Sequence, residues 1–106
     1  MDTYRCIGAA QAAELIDAGA TVADIRDANS YATGHIPGAF NVNNENLPQF
    51  IQDADLDAPL IVCCYHGISS QSAAAYLMGQ GFETVYSLDG GYELWHVSYP
   101  DRNEAS

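Results

Sequence analysis

The residues best placed to do chemistry are Ile61-Val62-Cys63-Cys64-Tyr65-His66-Gly67-Ile68-Ser69-Ser70. An apolar run ends in a cysteine, a short loop with Gly and Ser follows, and an alanine-rich helical pattern begins at once. That layout puts the Cys64 thiol at the C-terminal end of a buried strand, facing the free N–H groups of the next helix. Such N–H groups have no intrahelical partner and carry roughly half a positive charge, so they stabilise anions. A thiolate held there has a lowered pKa and serves as a nucleophile near neutral pH. The chain reads as a cysteine enzyme, and Cys63 reads as a small buried hydrophobe, as does Cys6.

The elements that must hold this loop alternate between helix and strand, which predicts an α/β domain with a mainly parallel sheet and helices on both faces. Residues 9–18 have helical spacing and stop at Gly19. Residues 21–25 form a short strand, and residues 29–33 one helical turn that stops at Gly34. The Pro/Gly segment 35–39 is a turn, followed by a short strand over residues 40–42. Residues 46–52 form a helix with Asn46 as N-cap and Pro48 in its first turn. The strand 60–63 is apolar throughout and is expected at the centre of the sheet, buried on both faces. A helix over residues 70–80, a strand over 84–86, a tight turn at Asp89-Gly90-Gly91 and a last helix from Gly91 complete the domain. The tail from about residue 99 is expected to fray.

Composition narrows the function. The 106 residues suffice for one domain with its own core. Fourteen carboxylates against three Arg and no Lys give a net charge of −11. Such a chain repels nucleic acid and anionic membranes. No apolar run is long enough to span a bilayer, and the first residues lack a signal-peptide pattern, so a cytoplasmic protein is expected. Three cysteines, two of them adjacent, argue against a disulfide framework. No Cys-x-x-Cys or Cys/His spacing supports a metal, and no cofactor is implied.

Cys64-Tyr65-His66-Gly67-Ile68-Ser69 resembles the six-residue active-site loop of rhodanese-type sulfurtransferases. Val22-Ala23-Asp24-Ile25-Arg26-Asp27 with Tyr31, Gly34-His35-Ile36-Pro37-Gly38-Ala39 and Asn41 is similar to that family's N-terminal signature. Leu88-Asp89-Gly90-Gly91-Tyr92-Glu93-Leu94-Trp95 is similar to its C-terminal one. The resemblance implies a single rhodanese-like domain over residues 1–106 and a ping-pong reaction. Cys64 takes the outer sulfur of thiosulfate, sulfite leaves, and a thiophilic acceptor discharges the persulfide: cyanide in an assay, a dithiol such as thioredoxin in a cell. Tyr65, His66, Gly67, Ile68 and Ser69 would bind the anion through a cradle of backbone N–H groups, with Gly67 allowing the tight curl. The Ser69 hydroxyl is placed to donate to the sulfur and Ser70 to cap the helix. Relatives of this type often carry a cation in or just after the loop; here Ile68 and Gln71 stand in those places, so anion binding falls to backbone dipoles.

Other residues are read more plainly. Arg26 pairs with a carboxylate and fixes the loop after its strand. His35 is a packed structural histidine, His66 a loop residue near the pocket mouth, and Gly90-Gly91 a turn before the last helix. Trp95 is a packing anchor, and Tyr76, Tyr86 and Tyr92 are core or rim residues. A cysteine phosphatase would need an arginine to clamp phosphate, and Ser70 occupies the position after the loop. A persulfide carrier or docking domain is the alternative from a different class.

Overall fold

The computed structural model describes residues 3–105; Met1, Asp2 and Ser106, the ends of the expected domain, lie outside them. Five strands and five helices follow one another as β1 (Arg5–Ile7), α1 (Ala9–Asp17), β2 (Thr21–Asp24), α2 (Ala28–Thr33), β3 (Phe40–Asn41), α3 (Leu47–Asp53), β4 (Leu60–Cys63), α4 (Ser69–Gly79), β5 (Val85–Leu88) and α5 (Gly91–Ser98). All strand pairs are parallel, in the order β1-β5-β4-β2-β3. The expected parallel α/β architecture is the one found, with β4 in the middle.

Alternation along the central strand builds two cores. Ile61 and Cys63 face one side of the sheet, where Ala9, Ala12 and Ala13 of α1 and Trp95 of α5 pack. Leu60 and Val62 face the other, against Ala74 and Leu77 of α4, with Leu47, Phe50 and Ile51 of α3 alongside. Because both faces are covered, all four β4 residues are buried and no polar alternation is possible. Burying each of Leu60, Ile61 and Val62 in full stabilises the fold by about 2 kcal/mol. Trp95 is the anchor expected of it: it is fully buried, with its indole N–H donating to the Arg102 carbonyl at 3.0 Å.

Several local expectations give way. The edge strand β1 has no counterpart in the sequence reading, since three residues carry too little periodicity to be seen. Its pairing with β5 defines it, including the Asp89 N–H to the Ile7 carbonyl at 2.8 Å. On that edge Cys6 is exposed rather than buried. Asn46 precedes α3 but does not cap it; its side-chain oxygen instead accepts from the Asn43 N–H at 2.7 Å. Helix α2 starts one residue early because Asp27 caps it, accepting from the Ser30 N–H.

The tail expected to fray is attached to the domain over the described residues. Glu104 and His35 exchange backbone hydrogen bonds at 2.8 and 2.9 Å, Asn103 accepts from the Tyr92 hydroxyl, and Arg102 pairs with Asp17. The segment is polar in sequence, and its attachments are hydrogen bonds that hydropathy does not register.

Candidate active site

In parallel sheets, sites form beyond the carboxyl ends of the strands. Here three neighbouring strands end together. Beyond β2 lie Ile25, Arg26 and Asp27, beyond β4 the loop from Cys64, and beyond β5 the turn that leads into α5. Ile25, Arg26, Asp27, Cys64, Tyr65, His66, Ile68 and Ser69 line one pocket of about 430 Å³.

Cys64 sits at its floor, 5% exposed. Its sulfur accepts from the N–H groups of Gly67 at 3.2 Å and Ser70 at 3.3 Å. Burial opposes ionisation of this thiol, yet its pKa is lowered overall. The Ser70 hydroxyl outweighs burial together with the backbone N–H groups of Ser70, Gly67 and His66. Cys63, one residue back, is its opposite. Burial and the nearby Asp24 carboxylate push its thiol well up, and it stays a neutral core residue. The strand turns two adjacent cysteines to different environments, and only the Cys64 thiol is eased toward ionisation.

Two further elements shape the loop. Gly67 adopts φ +84°, and a Cβ there would lie 2.8 Å from the Gly90 nitrogen and 2.9 Å from the Leu88 carbonyl oxygen. The start of α5 approaches just as closely: the Tyr92 N–H donates to the Cys64 carbonyl at 2.7 Å and the Glu93 N–H to the Tyr65 carbonyl at 3.2 Å. A side chain on Gly91, at φ +59°, would collide with those same carbonyls. The two glycines therefore do more than turn the chain. They let one helix N-terminus hold the loop's carbonyls outward while a second, that of α4, presents the Ser70 N–H to the sulfur beside that of Gly67.

The remaining site residues fall as follows. Ser69 is exposed and forms no hydrogen bond with the sulfur, whereas buried Ser70 does so through its backbone. Ser70 is not a side-chain cap of α4; its hydroxyl pairs with that of buried Ser87 at 2.7 Å. Ser70 thus has another role than the expected cap, and Ser87 is a site-building residue absent from the sequence reading, although a serine inside the apolar strand β5 was a signal. Tyr65 and Ile68 form the rim, at 44% and 74% exposure. The His66 side chain turns away from the sulfur and pairs with Glu93, Nδ1 to Oε2 at 2.8 Å. Gln71 braces the loop, donating to the Gly67 carbonyl at 2.9 Å and accepting from Tyr4.

Arg26 meets its expected carboxylate. Its guanidinium is buried, binds Asp24 through Nε and Nη2 at 2.7 to 3.1 Å, donates to the Gly34 carbonyl and lies 4.1 Å from the Tyr92 ring centroid. His35 is buried, stacked on Tyr31 at 3.7 Å between ring centroids, as a structural histidine should be.

The chain is also similar to known proteins. Residues 8–98 match the rhodanese-like domain. Two curated relatives, each named thiosulfate sulfurtransferase GlpE, come from Ectopseudomonas mendocina (strain ymp) and Pseudomonas fluorescens (strain SBW25). They are 60% and 59% identical over 100 residues, covering 94% of this chain and 92% of each relative. Among solved structures, a rhodanese-related protein from Thermoplasma volcanium superposes with a TM-score of 0.77 at 30% identity, over 90% of this chain and 93% of its own. A thiosulfate sulfurtransferase from Pseudomonas aeruginosa gives a TM-score of 0.85 at 26% identity, over 97% of this chain and 20% of its own. With its sheet order, its cysteine loop and both flanking signatures in register, the chain belongs to the rhodanese-like domain family.

Proposed function

We propose that this chain is a thiosulfate sulfurtransferase that works through a persulfide on Cys64. The thiolate attacks the outer sulfur of thiosulfate; a new S–S bond forms, the S–S bond of thiosulfate breaks, and its electron pair leaves with sulfite. The charges balance, since a thiolate and a dianion become a persulfide anion and sulfite. The observation that carries this reading is the Cys64 sulfur held by the Gly67 N–H of the loop and the Ser70 N–H in the first turn of α4. Those donors serve thiolate and persulfide alike, because both are anions at the same floor.

A thiophilic acceptor then takes the outer sulfur: cyanide in an assay, a dithiol such as thioredoxin in a cell. A reducing cytoplasm suits three unpaired thiols. Intact mass after incubation with thiosulfate tests the reading, best in a Cys6→Ser background because Cys6 is exposed. A gain of one sulfur that cyanide removes and that Cys64→Ser lacks supports it. No adduct at any thiosulfate concentration overturns it and points to a docking domain instead, and an adduct that cyanide leaves in place is no persulfide and overturns it too.

A further inference from the structure

The pocket has two electrical zones. Its floor is an anion cradle, but its rim carries a carboxylate that no cation among the described residues pairs with. Arg26 is taken by Asp24, and the His66 ring is turned to Glu93. Asp27 lines the same pocket, and among the described residues its oxygens meet only neutral donors: the Ser30 N–H at 3.1 Å, the Ser30 hydroxyl at 2.8 Å and the Tyr65 hydroxyl at 3.3 Å. These bonds keep its carboxyl below the usual carboxylate range, so it is charged at neutral pH. Asp27 also stands where the pocket joins a second cleft of about 800 Å³, which runs between α4 and the segment after β3; Ile25, Arg26 and Asp27 line both. A molecule that reaches Cys64 from that cleft passes the carboxylate.

Building on the sulfurtransferase reading, we propose that Asp27 is a specificity-determining residue that selects acceptor thiols whose non-reacting part is cationic or neutral over those whose non-reacting part is anionic. The acceptor thiolate RS⁻ attacks the outer sulfur of the Cys64 persulfide, giving RSS⁻ and the Cys64 thiolate. One S–S bond forms, one breaks, and no external oxidant or reductant takes part. The reacting anion meets the N–H cradle, while the remainder of the acceptor meets Asp27. Opposite charges attract there and like charges repel, to an extent that salt reduces.

The test is single-turnover discharge of the Cys6→Ser protein by cysteamine, 2-mercaptoethanol and 2-mercaptoethanesulfonate at low ionic strength. Cys64 is loaded in two ways, as the thiosulfate-derived persulfide and as a mixed disulfide with pyridinethiol. If thiosulfate fails to load it, the sulfurtransferase reading falls, while the mixed disulfide still reads the rim. The intrinsic reactivities of the thiols cancel when the same three are compared on two proteins. In Asp27→Asn the ratio of the cysteamine to the mercaptoethanesulfonate rate should fall by about threefold or more, and the difference should shrink near ~0.5 M salt. Asparagine caps a helix as well as aspartate does, and Asp27→Ser supplies a second capping variant. An unchanged ratio in a folded variant overturns the proposal. So does an equal fall in Asp53→Asn, whose carboxylate is bound to Gln49 on α3 outside this pocket, because net charge would then suffice.

Discussion

The N–H of Tyr92 donates to the carbonyl of Cys64 at 2.7 Å, so the helix that follows β5 grips the peptide that follows β4. Cys64 thus lies between two helix N-termini with different tasks. One faces its carbonyl and fixes the loop; the other faces its sulfur and stabilises charge.

Gly91→Ala tests the first task. The new methyl collides with the Cys64 and Tyr65 carbonyls at a backbone φ of +59°. We expect a loss of stability of about 2 kcal/mol or more, read as a lower denaturant midpoint. Alkylation of Cys64 should also slow by about tenfold, because the displaced loop no longer aims its N–H groups at the sulfur. An alanine variant with native stability and native alkylation rate would show that α5 only packs nearby.

Much of this arrangement could be read from the chain, and what escaped has physical causes. The β4–loop–α4 unit is legible because it is contiguous: an apolar strand, a cysteine, a Gly/Ser loop and a helix carry their geometry in their order. The grip of α5 on the loop is not, since it joins residues far apart through backbone groups that any side chain would leave looking the same. Gly90-Gly91 announces a turn but not its partner. Ser70 is misread for the same reason. At a helix start a serine is ordinarily a cap, and only the neighbouring β5 reveals that its hydroxyl is committed to Ser87. Cys6 misleads because burial of an edge strand depends on what covers the edge, which no local pattern encodes.

The lowered pKa of Cys64 has a measurable pH signature. Rates of alkylation by iodoacetamide should reach half their maximum below the ordinary thiol pKa of about 8.5. Stability follows with a definite sign. A group whose folded pKa is depressed contributes stability that is fully present above its unfolded pKa and lost as pH falls through the folded value. Wild type should therefore gain on Cys64→Ser as pH rises from the folded pKa to the ordinary thiol value, and no further above it. A stability difference that stays flat across that window would mean that the thiolate gains nothing from its donors.

Ile68→Lys addresses the absence of a free cation in the loop. Ile68 is 74% exposed on the rim of the Cys64 pocket, so a lysine there requires no repacking. Gln71 is the poorer position, because its amide already braces Gly67 and Tyr4. A cation at residue 68 should lower the Michaelis constant for thiosulfate by about threefold or more at low ionic strength, with the benefit fading as salt is added. In the unmodified chain, moderate salt should raise turnover at low thiosulfate, since the protein's net charge of −11 repels a dianion. A Michaelis constant unchanged by Ile68→Lys would mean that backbone donors alone set affinity.

The buried hydroxyl pair Ser70–Ser87 connects stability to reactivity. Its two oxygens lie 2.7 Å apart with no exposed surface on either residue, and the Ser70 hydroxyl also helps hold the Cys64 thiol down. Ser70→Ala leaves the Ser87 hydroxyl buried without a partner, at a cost of about 1–3 kcal/mol. It should also raise the pKa of Cys64 seen in alkylation. Ser87→Ala should cost a similar amount of stability, but it leaves the Ser70 hydroxyl free to turn fully to the sulfur, so the thiol pKa should stay level or fall. The double variant removes both buried hydroxyls and should be less destabilised than the sum of the single variants, while keeping the raised pKa of Ser70→Ala. If both single variants move the pKa in the same direction, packing around the loop, rather than the donor on Ser70, governs the charge on Cys64.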